Sequence, residues 1–261
     1  MQIGGYELTR MLGEGATGVV YGAVGPRGEV AVKMLRDPDA AARRRFEREA
    51  RLAAEAASRH LVPILEVGDG YFVMPLYPGG SLAHALRRDG PLPLTALVRL
   101  AAELGQALGV LHARAIVHRD VKPSNVLLGA EGAVLADFGL ARGVDATQLT
   151  HDGQLVGSAH YLAPELIEGA PASAATDIYA LGCLLYECAT GSPPFAGYAD
   201  AELGYAHLVE PPPDPRERRP EIGRDLAAAV VSALEKEPGA RPTSATALAR
   251  MLHLAGTSAP A

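Results

Sequence analysis

One stretch constrains this chain more than any other. His118-Arg119-Asp120-Val121-Lys122-Pro123-Ser124-Asn125 is followed by Val126-Leu127-Leu128, a glycine turn from Gly129 to Gly132, Val134-Leu135-Ala136 and then Asp137-Phe138-Gly139. Two short apolar runs joined by such a turn read as an antiparallel hairpin, which brings the residues at its open end, Asn125 and Asp137, opposite one another. Hard oxygen donors converging on one point suit Mg2+, which keeps waters and completes its shell with substrate phosphates. Asp120, five residues before Asn125, reaches the same point and is placed to take a proton from an incoming hydroxyl. Any one of these polar residues could be a loop cap; the set describes a site for metal and phosphate.

A second phosphate signal lies near the start. Gly13-Glu14-Gly15-Ala16-Thr17-Gly18 fits GxGxxG, whose glycines let backbone amides approach phosphate oxygens. A dinucleotide-binding fold would need the last glycine to open a helix and an acid about 20 positions on. Here Val19-Val20-Tyr21 continues as strand and Lys33 sits near the place for the acid, so the loop reads as a hairpin flap over phosphates. Ala31-Val32-Lys33 puts one lysine in an apolar strand, where a buried ammonium needs an anion. Glu49, in Phe46-Glu47-Arg48-Glu49-Ala50, is the favoured partner. Glu47 is the rival on another helical face, and bound phosphates would add negative charge.

The organisation agrees with a two-part chain. Residues 6 to 36 carry apolar runs split by glycine, the punctuation of antiparallel strands. Ala40 to Ala57 reads as a helix by propensity, and Leu61 to Val67 with Tyr71 to Leu76 as another hairpin across Gly68-Asp69-Gly70. Beyond Pro78-Gly79-Gly80 the period is mostly helical. Thr95 is an expected N-cap ahead of the stripe Leu97, Leu100, Leu104, Leu108 and Leu111. Asp177 to Thr190 is apolar nearly all round, the mark of a buried helix, and Leu226 to Leu234 and Thr243 to Leu254 read as amphipathic helices.

Composition removes other classes. The 261 residues are 48% apolar and 21% charged, which excludes a disordered chain. A net charge of −6 provides no global attraction for nucleic acid or anionic lipid. The two cysteines, Cys183 and Cys188, share one apolar run and form no disulfide framework, which suits a reducing compartment. Met1 to Arg10 lacks a signal-peptide pattern, and no run approaches the ~18 uninterrupted apolar residues of a membrane helix. No membrane segment is expected within the chain. The expected location is cytoplasmic, either free or as the cytoplasmic domain of a longer membrane-anchored protein.

With these residues in view, the chain resembles the eukaryotic-like (Hanks-type) protein kinases, most of all the bacterial serine/threonine kinases, from Tyr6 to about Leu254. The matching elements are the glycine loop, Lys33, Glu49, His118 to Asn125, Asp137-Phe138-Gly139, Ala163-Pro164-Glu165, Asp177 and Arg241-Pro242. The resemblance implies an α+β bilobal fold: residues 1–77 as a small antiparallel-sheet lobe with one key helix and the hinge, 78–255 as a larger, mainly helical lobe, and 256–261 as a tail or linker start. It implies ATP as cofactor, with Mg2+ or alternatively Mn2+, and protein substrates with Ser or Thr acceptors. Self-association through the smaller lobe is a further partner reading.

The roles carried over are specific. Gly13, Glu14, Gly15, Ala16, Thr17 and Gly18 cover the phosphates; Val20, Ala31, Met74, Pro75 and Tyr77 border the adenine. Lys33, held by Glu49, orients the α and β phosphates, Asn125 and Asp137 hold the metal, Asp120 takes the acceptor proton and Lys122 neutralises the γ-phosphate. Lys122 at its place goes with Ser or Thr acceptors. Asp177 would steady the catalytic loop and Arg241 would pair with Glu165, both structural roles. Gly157 to Tyr161 would form the platform for the residue after the acceptor. In the long loop after Asp137, Thr150 and then Thr147 are the expected phosphorylation sites, with Arg119 and Arg142 as docking charges. Two departures stand out: Pro75 replaces the common hinge glutamate while keeping its C=O, and Thr17 replaces the large residue at the loop tip. A binding module lacking catalysis and a small-molecule kinase are the competing readings; the presence of Lys33, Asp120 and Asp137 speaks against the first, and Ala163-Pro164-Glu165 against the second.

Overall fold

A computed structural model of the chain describes residues 1–15, 18–35, 56, 58–137 and 159–257. The first part is a six-stranded antiparallel sheet in the order β1-β2-β3-β4-β6-β5. Its strands are β1 (Gln2–Ile3), β2 (Tyr6–Gly15), β3 (Gly18–Gly25), β4 (Gly28–Met34), β5 (Glu66–Gly68) and β6 (Tyr71–Pro75). Alternation sorts its side chains: Tyr6, Ala23, Val30, Val32, Tyr71 and Val73 pack on one face. Ala31, Phe72 and Met74 pack on the other, against Val62, Val134 and Ala136. Lys33 lies two residues after Ala31 and shares that second face, the one turned toward the rest of the molecule.

The glycine loop is the tip of the β2–β3 hairpin, with Gly15 paired to Gly18, so the expected flap replaces a helix N-terminus. Gly18 has φ +152°, and a Cβ there would stand 2.0 Å from the Met34 carbonyl oxygen. No other residue fits that close crossing. The expected helix over 40–57 lies almost wholly outside the described residues.

The expected strand from Leu61 is much shorter, because only Glu66–Gly68 joins β6. Pro63 lacks an N–H for a ladder, and the Val62 N–H goes instead to the Leu135 carbonyl at 3.0 Å. Leu61 and Val62 thus belong to a contact with the second part of the chain.

That second part is helical around one small hairpin. It contains α1 (Leu82–Asp89), α2 (Leu94–His112), β7 (Val126–Gly129), β8 (Gly132–Leu135), α3 (Pro164–Ile167), α4 (Ala174–Thr190), α5 (Asp200–Val209), α6 (Arg224–Ser232) and α7 (Ala245–Thr257). Pro93, not Thr95, is the N-cap of α2, and no side chain caps it; Thr95 sits inside the first turn, its position set by proline's inability to continue a helix backward. The stripe Leu97, Leu100, Leu104, Leu108 and Leu111 is buried as expected. By length and apolar composition α2 would match a membrane span, but half of it is buried inside the protein. It packs against α4 and α7 in the principal core. Cys183 and Cys188 are fully buried in α4, and burial pushes both thiols up, which keeps them protonated and inert.

Candidate active site

The β7–β8 hairpin sets the geometry. Gly129 pairs with Gly132 across a tight turn, which fixes Val126 opposite Leu135. The same register carries Asn125 opposite Ala136, whose N–H donates to the Asn125 carbonyl at 2.8 Å. Asp137 therefore lies one residue beyond the position directly facing Asn125. It reaches back through an uncommon backbone conformation, φ +55°, and its Oδ1 meets the Lys33 Nζ at 2.7 Å. The Lys33 side chain is 3% exposed and Asp137's is 34% exposed, so the ammonium is desolvated while the carboxylate keeps an open side.

The loop bearing Asp120 has no regular backbone ladder, and buried side chains hold it. Asp177, in the first turn of α4 and wholly buried, accepts the His118 N–H and the Arg119 N–H, each at 2.8 Å. Its Oδ2 also lies 2.8 Å from the His112 Nε2. Arg119 takes φ +67° between these contacts. The Asp120 N–H donates to the His118 Nδ1 at 3.3 Å, so His118 carries its proton on Nε2 and donates it to the Ala136 carbonyl at 3.0 Å. Burial holds the His118 pKa below its ordinary 6.5 despite nearby carboxylates, which keeps this imidazole neutral.

Asp120 is in turn gripped from its C-terminal side. The Asn125 Nδ2 donates to the Asp120 carbonyl at 2.8 Å and to its Oδ2 at 2.9 Å, and the Lys122 Nζ lies 2.9 Å from the same Oδ2. Asn125 spends its amide N–H groups on Asp120, which turns its amide oxygen into the atom it offers a cation. The Asp137 carboxylate and the Asn125 amide oxygen are hard oxygen donors of the kind a divalent ion takes, and the ammonium groups of Lys33 and Lys122, each already beside a carboxylate, suit the phosphates that would accompany it.

An apolar cluster adjoins these charges. Val20, Ala31 and Met74 from the sheet, Leu76 and Tyr77 after it, and Leu127, Val134 and Ala136 from the hairpin side share it. Ala31 pairs with Met74 and Val30 with Pro75, so Pro75 ends a strand where its missing N–H is tolerated. Sequence reasoning missed Leu127 as a lining residue. Its signal was the period of two: Val126 is wholly buried in the helical core, and its neighbour must face the other way.

The other expected features sort as follows. Gly13, Glu14, Gly15, Gly18 and Val20 lie on the β2–β3 hairpin. Ala16, Thr17, Glu49 and its rival Glu47, Phe138, Gly139, Arg142, Thr147, Thr150, Gly157 and Ser158 fall outside the described residues. Ala159–Tyr161 forms a short 3-10 turn, and Ala159 packs on Phe195, Leu203 and Ala206. The Arg241 Nη1 and Nη2 donate to the two Glu165 oxygens at 2.8 Å each, and the Thr176 hydroxyl adds a bond to Oε1 at 2.8 Å. Burial, the largest single influence, would raise the Glu165 pKa, but the Arg241 hydrogen bonds and charge, a backbone N–H and the Thr176 hydroxyl together outweigh it and hold the carboxyl below its ordinary value.

Comparison with known proteins agrees with this layout. The protein kinase domain family matches residues 6–252. Serine/threonine-protein kinase PknB of Mycobacterium leprae is 38% identical over 89% of this chain and 40% of its own length. The DNA damage-responsive serine/threonine-protein kinase RqkA of Deinococcus radiodurans is 40% identical over 97% of this chain and 40% of its own length. The chain thus spans about two fifths of these curated relatives. Among solved structures, the kinase domain of Mycobacterium tuberculosis PknI superimposes with a TM-score of 0.76 at 29% identity, covering 98% of this chain and 97% of that one.

Proposed function

The chain belongs to the protein kinase family, and from that membership we propose that it transfers the γ-phosphoryl group of ATP to serine or threonine hydroxyls of proteins, its own loop after Asp137 included. The convergence of Lys33, Asp120, Lys122, Asn125 and Asp137 carries this reading. Residues 1–77 cover the nucleotide and 78–255 present the acceptor. The apolar surface of Val20, Ala31, Met74 and Leu127 takes the adenine, with backbone groups at Pro75 and Tyr77 as its polar contacts. Lys33 orients the α and β phosphates, the role in which a desolvated ammonium is strongest. Asp137 and Asn125 hold Mg2+, with Mn2+ as the alternative; when bound, the ion supplies charge neutralisation at the phosphates.

Asp120 then orients the acceptor hydroxyl and takes its proton, because Asn125 and Lys122 fix the direction of its carboxylate. Lys122 opposes the charge that spreads over the transferring oxygens. Positioning and charge neutralisation suffice, since phosphoryl transfer asks little covalent help of a protein. Lys122 and the turn at Ala159–Tyr161 support a serine or threonine acceptor by resemblance to the family.

The purified chain is incubated with Mg-ATP beside Asp120→Asn, and incorporated phosphate is read by intact mass and peptide mapping. Phosphate on Thr150 or Thr147 in the wild type alone is the expected result. ATP binding with no phosphate on the chain or on a generic protein acceptor would make it a nucleotide-binding module instead.

A further inference from the structure

An isolated two-stranded hairpin is marginal in water, yet β7–β8 must hold Asn125 and Asp137 in register. β8 is also an edge strand, with one row of N–H and C=O groups turned away from β7. That row is filled by groups from distant parts of the chain. The Leu135 N–H donates to the His60 carbonyl at 2.8 Å, and the Leu135 carbonyl accepts the Val62 N–H at 3.0 Å. The Ala133 carbonyl accepts from His60 Nδ1 at 2.9 Å. The Ala133 N–H donates to Glu103 Oε2 at 2.8 Å.

Glu103 is unusual in this company. It projects from the middle of α2 and is 9% exposed, a place where a carboxylate is costly unless its lone pairs are used. Oε2 takes the Ala133 N–H, and Oε1 accepts from the Arg99 Nε at 2.9 Å. Gly132 has φ +127°, and a Cβ there would lie 2.3 Å from Oε1, so the turn is shaped around this carboxylate. Arg99 is mostly exposed and contributes little on its own. The arrangement makes sense as a grip on the strand.

We propose that Glu103, with His60 on the same residue, is a positioning residue for the metal-holding end of the hairpin. It clamps Ala133, and the stiff strand Ala133-Val134-Leu135-Ala136 transmits that fixed register to Asp137. This rests on the reading of Asn125 and Asp137 as metal ligands. Glu103 touches neither nucleotide nor metal.

The test compares wild type with Glu103→Leu, which fills the space but removes the acceptor, and Glu103→Gln, which keeps an acceptor oxygen. Mn2+ binding in the presence of a non-hydrolysable ATP analogue is followed by the EPR signal of the free ion. Amide hydrogen exchange is followed on the ligand-free chain. Glu103→Leu is expected to weaken Mn2+ binding about tenfold, the size typical of outer-shell partners, and to speed exchange at residues 133–137 while α4 amides keep their protection. Glu103→Gln is expected to restore both.

Unchanged Mn2+ binding in Glu103→Leu, with only a lowered Tm, overturns the proposal; so does a Gln variant as impaired as the Leu variant. Should Glu103→Leu fail to fold, the wild-type chain decides: an Ala133 amide that exchanges as fast as that of exposed Glu131 overturns the clamp, and protection to the level of the α4 core supports it. A wild type that takes up no Mn2+ with the analogue sinks the metal-site reading instead, and local exchange still reports on the clamp separately.

Discussion

The two lobes place their functional groups by different means. In the sheet lobe the buried charged or polar side chains among the described residues 1–77 are Lys33 and His60, and for Lys33 the backbone ladder does the positioning: it is held between Val20 and Phe72 by strand register. In the helical lobe Glu103, His118, Asn125, Glu165, Thr176, Asp177, His207 and Arg241 are all buried. The loop bearing Asp120 lacks a ladder, so its N–H groups must find side-chain acceptors, and those acceptors must be desolvated to be stiff. The lesson is that strands inside a sheet place a residue by register, whereas an irregular loop, like the free edge of the small β7–β8 hairpin, needs polar side chains to shape it.

This contrast is open to breaking. Asp120→Asn removes chemistry without touching the frame: activity should fall by about 10²- to 10⁴-fold in a phosphate-incorporation assay, with Tm unchanged. Arg241→Leu should cost about 3–5 kcal/mol in urea unfolding, because it leaves the Glu165 carboxylate buried and unpaired. Its counterpart in the sheet lobe, Glu66→Gln, alters a part-exposed contact with Tyr6 and should cost less than about 1 kcal/mol. A comparable loss from both would abolish the distinction.

Stability against pH should report on the helical lobe. Burial lowers the His207 pKa from 6.5 to about 3, with its Nδ1 2.7 Å from the Tyr179 hydroxyl. The folded state keeps this ring neutral while the unfolded chain protonates it below pH 6.5. The stability is therefore fully present above pH 6.5 and is lost as pH falls toward about 3. His207→Gln should flatten that slope in pH-dependent unfolding curves; an unchanged slope would assign it to other groups.

A pair of glycines tests the backbone side of the comparison. Gly18→Ala, at φ +152° with its Cβ driven into the Met34 carbonyl, should cost about 1–3 kcal/mol. Gly13→Ala, with nothing within 4 Å of its Cβ, should stay within about 0.5 kcal/mol. Thermal unfolding of the pair would separate a lobe positioned by its backbone from one indifferent to it.

Much of the site was legible before any coordinates. Asp120, Asn125 and Asp137 lie on or beside one hairpin, and a short glycine turn restricts register enough to bring them together, though the structure shifts Asp137 by one place. Asp177 and the Glu165–Arg241 pair were accessible only through resemblance, since 76 positions separate Glu165 from Arg241. Leu127 was hidden in plain alternation. Glu103 was invisible: it sits beside the apolar stripe of α2, and a charge in a helix ordinarily faces solvent.

The sequence alone determined the chemistry and the local elements, because glycine turns, strand alternation and the identity of the polar residues act over a few positions. Tertiary structure alone decided the partners: Lys33 on Asp137 across 104 positions, Asp177 on the His118 and Arg119 amides, Glu103 on Ala133. The physical reason is that a buried polar group takes whichever partner packing delivers, and packing is the sum of many apolar contacts whose directions no local pattern encodes.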